Sequence, residues 1–182
     1  MPSLSLNDET SQAGAYRQDV VQNRQFLTFL LGEQLFAMAI ENIREIIEFC
    51  NLTEVPLMPN FLRGVINLRG AVVPIIDLSV RLGRVPASIT KRTCIVILEL
   101  VQQDQTLLLG VMVDTVRTVL SVEENSIEPP LTFGANLRTD FIEGMINIKD
   151  KFVVALDVGA VFSVEELTSL IGLADQEFDV QP

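Results

Sequence analysis

The sequence predicts a mostly β protein made of two small, closed or nearly closed barrels, with short helices and one helix near the C-terminus. Three observations carry this. The stretch from Phe61, FLRGVINLRGAVVPIIDL, returns without a gap as FIEGMINIKDKFVVALDV from Phe141, 141 − 61 = 80 residues later. Phe61/Phe141, Gly64/Gly144, Ile66/Ile146, Asn67/Asn147, Val73/Val153 and Asp77/Asp157 are identical, which marks one structural unit used twice. A fainter repeat aligns FAMAIENIREII (36–47) with LGVMVDTVRTVL (109–120) at 109 − 36 = 73, and there Arg44 matches Arg117. Finally, the apolar runs are strand-sized and separated by turn residues, the pattern of small all-β architectures.

Taken in order, residues 1–24 are polar and read as a flexible leader. FLTFLL (26–31) and LFAMAI (35–40) are strands joined by a turn at Gly32-Glu33-Gln34. ENIREII (41–47) is ambiguous: Ile40, Ile43, Ile46 and Ile47 have helical spacing, yet the segment runs into an extended IIEF. Pro56 and Pro59 flank a loop that leads to a short turn at Asn60–Leu62. VINL (65–68) and AVVPII (71–76) form a hairpin with Arg69-Gly70 at its tip, where glycine supplies a positive φ; the second copy has Lys149-Asp150 there. Pro74 lacks a ladder donor, which places it at an edge or a bulge. Asp77 opens a short helix that Gly83 closes, and Asp157 opens its twin.

Arg84–Lys91, with Pro86 and Ser88, reads as the linker between a first barrel of about 25–85 and a second of about 92–162. CIVILEL (94–100) is too uniformly apolar for a strand with an exposed face, and Gln102–Gln105 is its turn. Ser163 and Glu166 form a capping box for a helix over 163–171 through Leu167, Leu170 and Ile171, which Gly172 ends. An acidic tail occupies 173–182.

The composition narrows the function. Apolar residues make up 48% of 182, enough for a real core, and the net charge of −11 disfavours nucleic acid and anionic membrane as partners. No apolar run reaches the length of a membrane helix, and the N-terminus lacks the pattern of a secretory signal. Cys50 and Cys94 have neither metal spacing nor a disulfide framework and read as free thiols of a cytoplasmic protein. Histidine is absent, which removes the commonest general base and metal ligand. No cofactor is expected.

One enzyme reading remains. Asp77 and Asp157, equivalent in the two halves, resemble in placement the carboxylate pair of a two-lobed hydrolase. Against it, neither continues as Asp-Thr/Ser-Gly, and each stands where a helix needs a cap. A ligand pocket at the seam of the halves is a further alternative, although few polar groups converge there. Asn67 and Asn147 could contact a partner, but their repetition favours side chains that fix the approach to the turn. Arg69 is open: an arginine at a hairpin tip can grip a partner's carboxylate, or it can be a solvated turn residue near Glu45, Glu48 and Glu54.

FLTFLLGEQLFAMAIENIREII, GVINLRGAVVPIIDL with its Asn-Leu-Arg-Gly turn, TCIVILEL, LLLGVMVDTVRTVLSV and FIEGMINIKDKFVVALDV together resemble the chemotaxis coupling family, the CheW-like adaptors, over about Gln25 to Ile171. The resemblance implies two SH3-like five-stranded barrels related by a pseudo-twofold and no catalytic activity. It implies a cytoplasmic scaffold, recruited to membrane-associated arrays without inserting in the membrane, that links a histidine kinase, through the kinase's regulatory domain, to the cytoplasmic tip of methyl-accepting chemoreceptors, which would lie in a groove between the barrels. Carried onto this chain, Ile43, Glu45, Gly64 and Arg69 match receptor-facing or groove-associated positions, with an internal ion pair as the alternative role of Arg69 and Glu45 and a place in the core as the alternative for Ile43. Ile47, Phe49 and Leu52 are the expected kinase-facing residues. The family also serves pilus-linked and other chemosensory systems.

Overall fold

The computed structural model describes residues 20–130 and 139–162, together with Glu166, Ser169 and Gly172. Among the described residues there are ten strands: β1 (Asn23–Leu31), β2 (Gln34–Ala39), β3 (Ile43–Glu48), β4 (Leu62–Leu68), β5 (Ala71–Asp77), β6 (Cys94–Gln102), β7 (Gln105–Val113), β8 (Thr115–Glu123), β9 (Ile142–Ile148) and β10 (Lys151–Leu156). Two four-residue helices, α1 (Leu78–Arg81) and α2 (Val158–Val161), follow β5 and β10. The ambiguous stretch after β2 divides into a 3-10 turn at Ile40–Asn42 and strand β3.

The strands form two five-stranded sheets ordered β8-β1-β2-β10-β9 and β3-β6-β7-β5-β4. Exchanging the halves of the sequence (β1 for β6, β2 for β7, β3 for β8, β4 for β9, β5 for β10) turns one order into the other, which is the internal twofold the repeats predict. The registers agree to the residue. Ala155↔Ala37 and Leu156↔Met38 in one parallel ladder correspond to Ile75↔Gly110 and Ile76↔Val111 in the other, through the same offsets of 80 and 73.

The sheets are not the sequence halves, however, and the expected division into barrels of 25–85 and 92–162 is corrected. Each sheet draws strands from both halves. The 3-10 turn after β2 carries β3 out of the first sheet to pair with β6, and Asp114 between β7 and β8 does the reverse, sending β8 to β1. The segment 84–91 therefore joins β5 and β6, two strands of one sheet, and is no link between barrels.

Burial explains the continuous apolar runs. Along β1, Phe26 faces a small core with Ala37, Ala39, Ile146, Val153 and Ala155, while Leu27, Phe29 and Leu31 face the other way. Along β6, Ile95 and Ile97 enter the second barrel's core with Ile66, Val73, Ile75 and Met112, while Val96, Leu98 and Leu100 turn outward. These outward faces meet between the sheets in the largest apolar cluster among the described residues, joined by Met38, Leu109, Val111, Leu156 and Phe162. Both faces of the central strands are thus buried, and such strands need no polar alternation. Each fully buried Leu, Ile or Phe contributes about 1.5–3 kcal/mol, so the seam is a substantial part of the stabilising core.

Pro74 departs from expectation, because β5 is flanked by β4 and β7 rather than lying at an edge. Its neighbour across the hairpin, Val65, uses both backbone groups on Thr53, on the side away from β5. Pro74's nitrogen consequently faces the β7 side, and the parallel ladder there begins only at Ile75, just past the residue that cannot donate. Both β4–β5 and β9–β10 turns have positive φ at their two tip residues: 51° and 88° at Arg69-Gly70, 48° and 65° at Lys149-Asp150. Strand β1 begins at Asn23, two residues inside the predicted leader, the rest of which lies outside the described residues except Val20–Gln22. Of the predicted C-terminal helix, Glu166, Ser169 and Gly172 are described and all are helical. The capping residue Ser163 and the tail lie outside the described residues.

Candidate functional site

The β3 strand organises both sets of candidate residues. It is an edge strand of its sheet, and a bulge between Ile43 and Glu45 shifts its register against β6 from Leu98 to Ile97. A bulge turns the side chains that follow it to a new face. Ile43, before the bulge, packs on the core between the barrels, whereas Ile47, after it, packs on the core of its own barrel.

Glu45 points to the mouth of that barrel and meets the hairpin tip of β4–β5. Arg69 donates from Nη1 to Oε1 at 2.6 Å and from Nη2 to Oε2 at 3.1 Å, a two-bonded fork. Since β3 is one edge of the sheet and the β4–β5 hairpin forms the other, the pair spans the barrel's open side. The Glu45 hydrogen bond, and after it the carboxylate's charge, raise the Arg69 pKa above its ordinary value. Arg69 remains 71% exposed in its side chain against 23% for Glu45, so the outer face of the guanidinium is available to a partner. Asn67 Oδ1 accepts from Gly70 N at 2.9 Å and fixes the tip, as the sequence predicts.

Gly64 is buried, which corrects its reading as a contact residue. A Cβ there would stand 2.5 Å from the Thr53 carbonyl oxygen, because Thr53 bridges to Val65 just beside it. Gly144 repeats the arrangement: a Cβ would come within 2.8 Å of the Glu128 oxygen where Glu128 bridges to Met145. The repeated glycines let a short segment lie against each hairpin, and in the first copy this segment forms the wall of a groove.

That groove, of about 550 Å³, is lined by Phe49 and Leu52 together with Val55, Met58, Leu62 and Ile89. Glu54 and Arg63 add charge to its lining. Beside it Leu57 is fully exposed at a φ of 62°, an uncommon conformation for a branched apolar residue. The structure thus separates the seven candidates. Ile43, Glu45 and Arg69 gather near the seam end of β3, Phe49 and Leu52 lie beyond its other end, Ile47 packs inside between them, and Gly64 positions the wall. Sequence reasoning missed Val55, Met58, Arg63 and Ile89, since the groove is assembled from the β3–β4 loop and segment 84–91, which no local pattern connects.

The two aspartates take no common role. Asp77 is fully buried; Oδ1 accepts from Ser79 N at 3.0 Å and Val80 N at 3.4 Å, and Oδ2 accepts from Ala87 N at 3.0 Å. It caps α1 and pins segment 84–91. Asp157 is exposed and caps α2 through Ala160 N at 3.2 Å. Each is committed to its own helix, the arrangement of structural caps and not of a shared-proton pair. The space between the barrels is filled by the central apolar cluster, which also removes the reading of the seam's interior as a ligand pocket. Among the described residues no cluster of His, Cys, Asp and Glu could hold a metal ion, and no helix is long and apolar enough to cross a membrane.

The model of the CheW-like domain matches residues 25–166. The chain is 35% identical over 144 residues to the probable chemotaxis protein CheW of Rhizobium etli, covering 79% of this chain and 90% of that one. It is 34% identical over 143 residues to the chemotaxis protein CheW of Rhizobium meliloti, with 79% and 90% covered. Among solved structures, the scaffolding protein TtCheW of Thermoanaerobacter tengcongensis superimposes with a TM-score of 0.70 at 30% identity, over 83% of this chain and 95% of that one.

Proposed function

The chain belongs to the CheW-like domain family and is a non-catalytic chemotaxis adaptor, and from that premise we propose that it joins the cytoplasmic tip of chemoreceptors to the regulatory domain of a chemotaxis-type histidine kinase. The observation that carries this reading is the presence of two separate surfaces on one rigid barrel. Ile43 with the Glu45–Arg69 pair forms a half-apolar, charged surface beside the seam, suited to a receptor helix that presents both apolar and carboxylate groups. The groove around Phe49 and Leu52, with Leu57 standing free beside it, combines these apolar side chains with a largely polar exposed lining that includes Asn51, Glu54, Asn60 and Arg63, suited to a compact folded partner such as a barrel of the same kind. Apolar anchors supply affinity and the charges supply selectivity. The protein is thereby held at receptor arrays through its partners.

Reconstitution with receptor fragments in vesicles and the kinase tests the reading. Wild-type protein should raise receptor-dependent kinase activity; Leu52→Glu should lose kinase binding by at least about tenfold while keeping receptor binding, because a charge is forced into an apolar contact. Failure of the wild-type protein to alter kinase activity, or equal loss of both partners in Leu52→Glu, would overturn it.

A further inference from the structure

Arg81 occupies a place that neither surface uses. Its pseudo-symmetry mate is Val161, 161 − 81 = 80 residues on, and the two touch: Arg81 Nε donates to the Val161 carbonyl at 2.8 Å. The guanidinium lies 5.0 Å from the ring centre of Phe61 and 5.4 Å from that of Phe141, themselves a mated pair, and 5.7 Å from Phe162. Each of the mated phenylalanines is fixed by the same bond, Asp77 N to the Phe61 carbonyl and Asp157 N to the Phe141 carbonyl. Arg81 Nη2 also reaches Glu166 at 2.7 Å. A residue that bonds its own symmetry mate sits at the internal twofold, so the repeat has to be broken there: two guanidinium groups facing each other at such separation would repel. One arginine against one valine lets a single cation serve both halves.

The chemistry fits a clamp. The Arg81 side chain is only 13% exposed, and a buried guanidinium is tolerable only when its donors are paired. Here it gains an acceptor at the carbonyl end of α2, where helical carbonyls lack internal partners and positive charge is favoured, plus a carboxylate and three aromatic faces. Helix α1 follows β5 of one sheet and α2 follows β10 of the other, so the bonds cross between barrels. We propose that Arg81 is the positioning residue that fixes the two barrels relative to each other and so sets the geometry in which receptor and kinase are held. The second half of that statement rests on the coupling function proposed above.

The test compares full-length wild type with Arg81→Met, which keeps the apolar stem, by amide hydrogen exchange and by reconstituted kinase activation. Exchange in 79–82 and 160–162 should quicken by at least about tenfold while the β4–β5 and β9–β10 hairpins stay within about twofold, the signature of local release rather than global loss of stability. Binding to a receptor fragment or a kinase fragment alone should remain within about threefold of wild type, whereas activation in the ternary assembly should fall at least about fivefold. Arg81→Lys, which keeps the charge over the rings but loses the fork, should lie between the two. Unchanged exchange in the helices, uniformly faster exchange throughout, or unimpaired activation would overturn the proposal. If Arg81→Met fails to fold, Glu166→Gln must reproduce the same pattern at smaller size, and its absence overturns the proposal equally. Should wild type itself fail to activate the kinase, the coupling function falls, while the exchange measurement still judges the clamp.

Discussion

Arg69 and Glu45 close a barrel by its edges: the fork at 2.6 and 3.1 Å ties the tip of one edge hairpin to the opposite edge strand. Its residues belong to the surface assigned to the receptor, so their loss has two possible causes that experiment can separate. Arg69→Ala and Glu45→Ala should each weaken binding of a receptor fragment. The exchanged pair Arg69→Glu with Glu45→Arg should stay as weak as the single variants, because a carboxylate at position 69 no longer suits the receptor's carboxylates, whereas recovery would assign the effect to the spacing of the edges.

The repeated glycines should be the least replaceable residues of the hairpins. Gly64→Ala puts a methyl 2.5 Å from a carbonyl oxygen, and Gly144→Ala puts one 2.5 Å from Ile127 and 2.8 Å from a carbonyl oxygen. Backbone cannot yield cheaply, so each should cost about 2–4 kcal/mol in urea unfolding. Gly70→Ala meets nothing within 4 Å and bears only the strain of a φ of 88°, about 1 kcal/mol. Equal losses at Gly64 and Gly70 would contradict the close approach of Thr53.

The matched aspartates should behave unequally. Asp77→Ala removes three acceptor bonds from a buried site and should cost about 2–4 kcal/mol, read from the denaturation midpoint. Asp157→Ala removes one exposed cap and should cost about 0.5–1 kcal/mol. Asp77→Ala should also speed amide exchange at Ala87, which no change at Asp157 would do.

Strand exchange makes the halves interdependent. A fragment ending near Arg84 supplies β1 and β2 to one sheet and β3, β4 and β5 to the other, completing neither. Residues 1–84 and 92–182 expressed separately should lack the circular dichroism of folded sheet, and mixing them should restore it. A first fragment that folds alone would refute the topology.

Much of this was readable beforehand. The two offsets place the hairpins and the Asp caps, because each depends on residues near in sequence and on alternation that local burial imposes. The groove residues Met58 and Ile89 and the Arg81–Val161 contact were not, since each joins segments whose separation along the chain leaves no local trace; the Arg69–Glu45 pair stood only as one of two roles that the family resemblance implied.

By itself the sequence determined that one β unit is built twice, where its strands turn, and that its central strands are buried on both faces. Only the tertiary structure decided which strands share a sheet. A uniformly apolar strand such as Cys94–Gln102 reports that both its faces are covered but not by what, and its partners are chosen by the three-residue turn that sends β3 across to it and by the core that forms between the barrels. The same lack of directional information hid Arg81: its position at the internal axis exists only once the two halves are folded against each other.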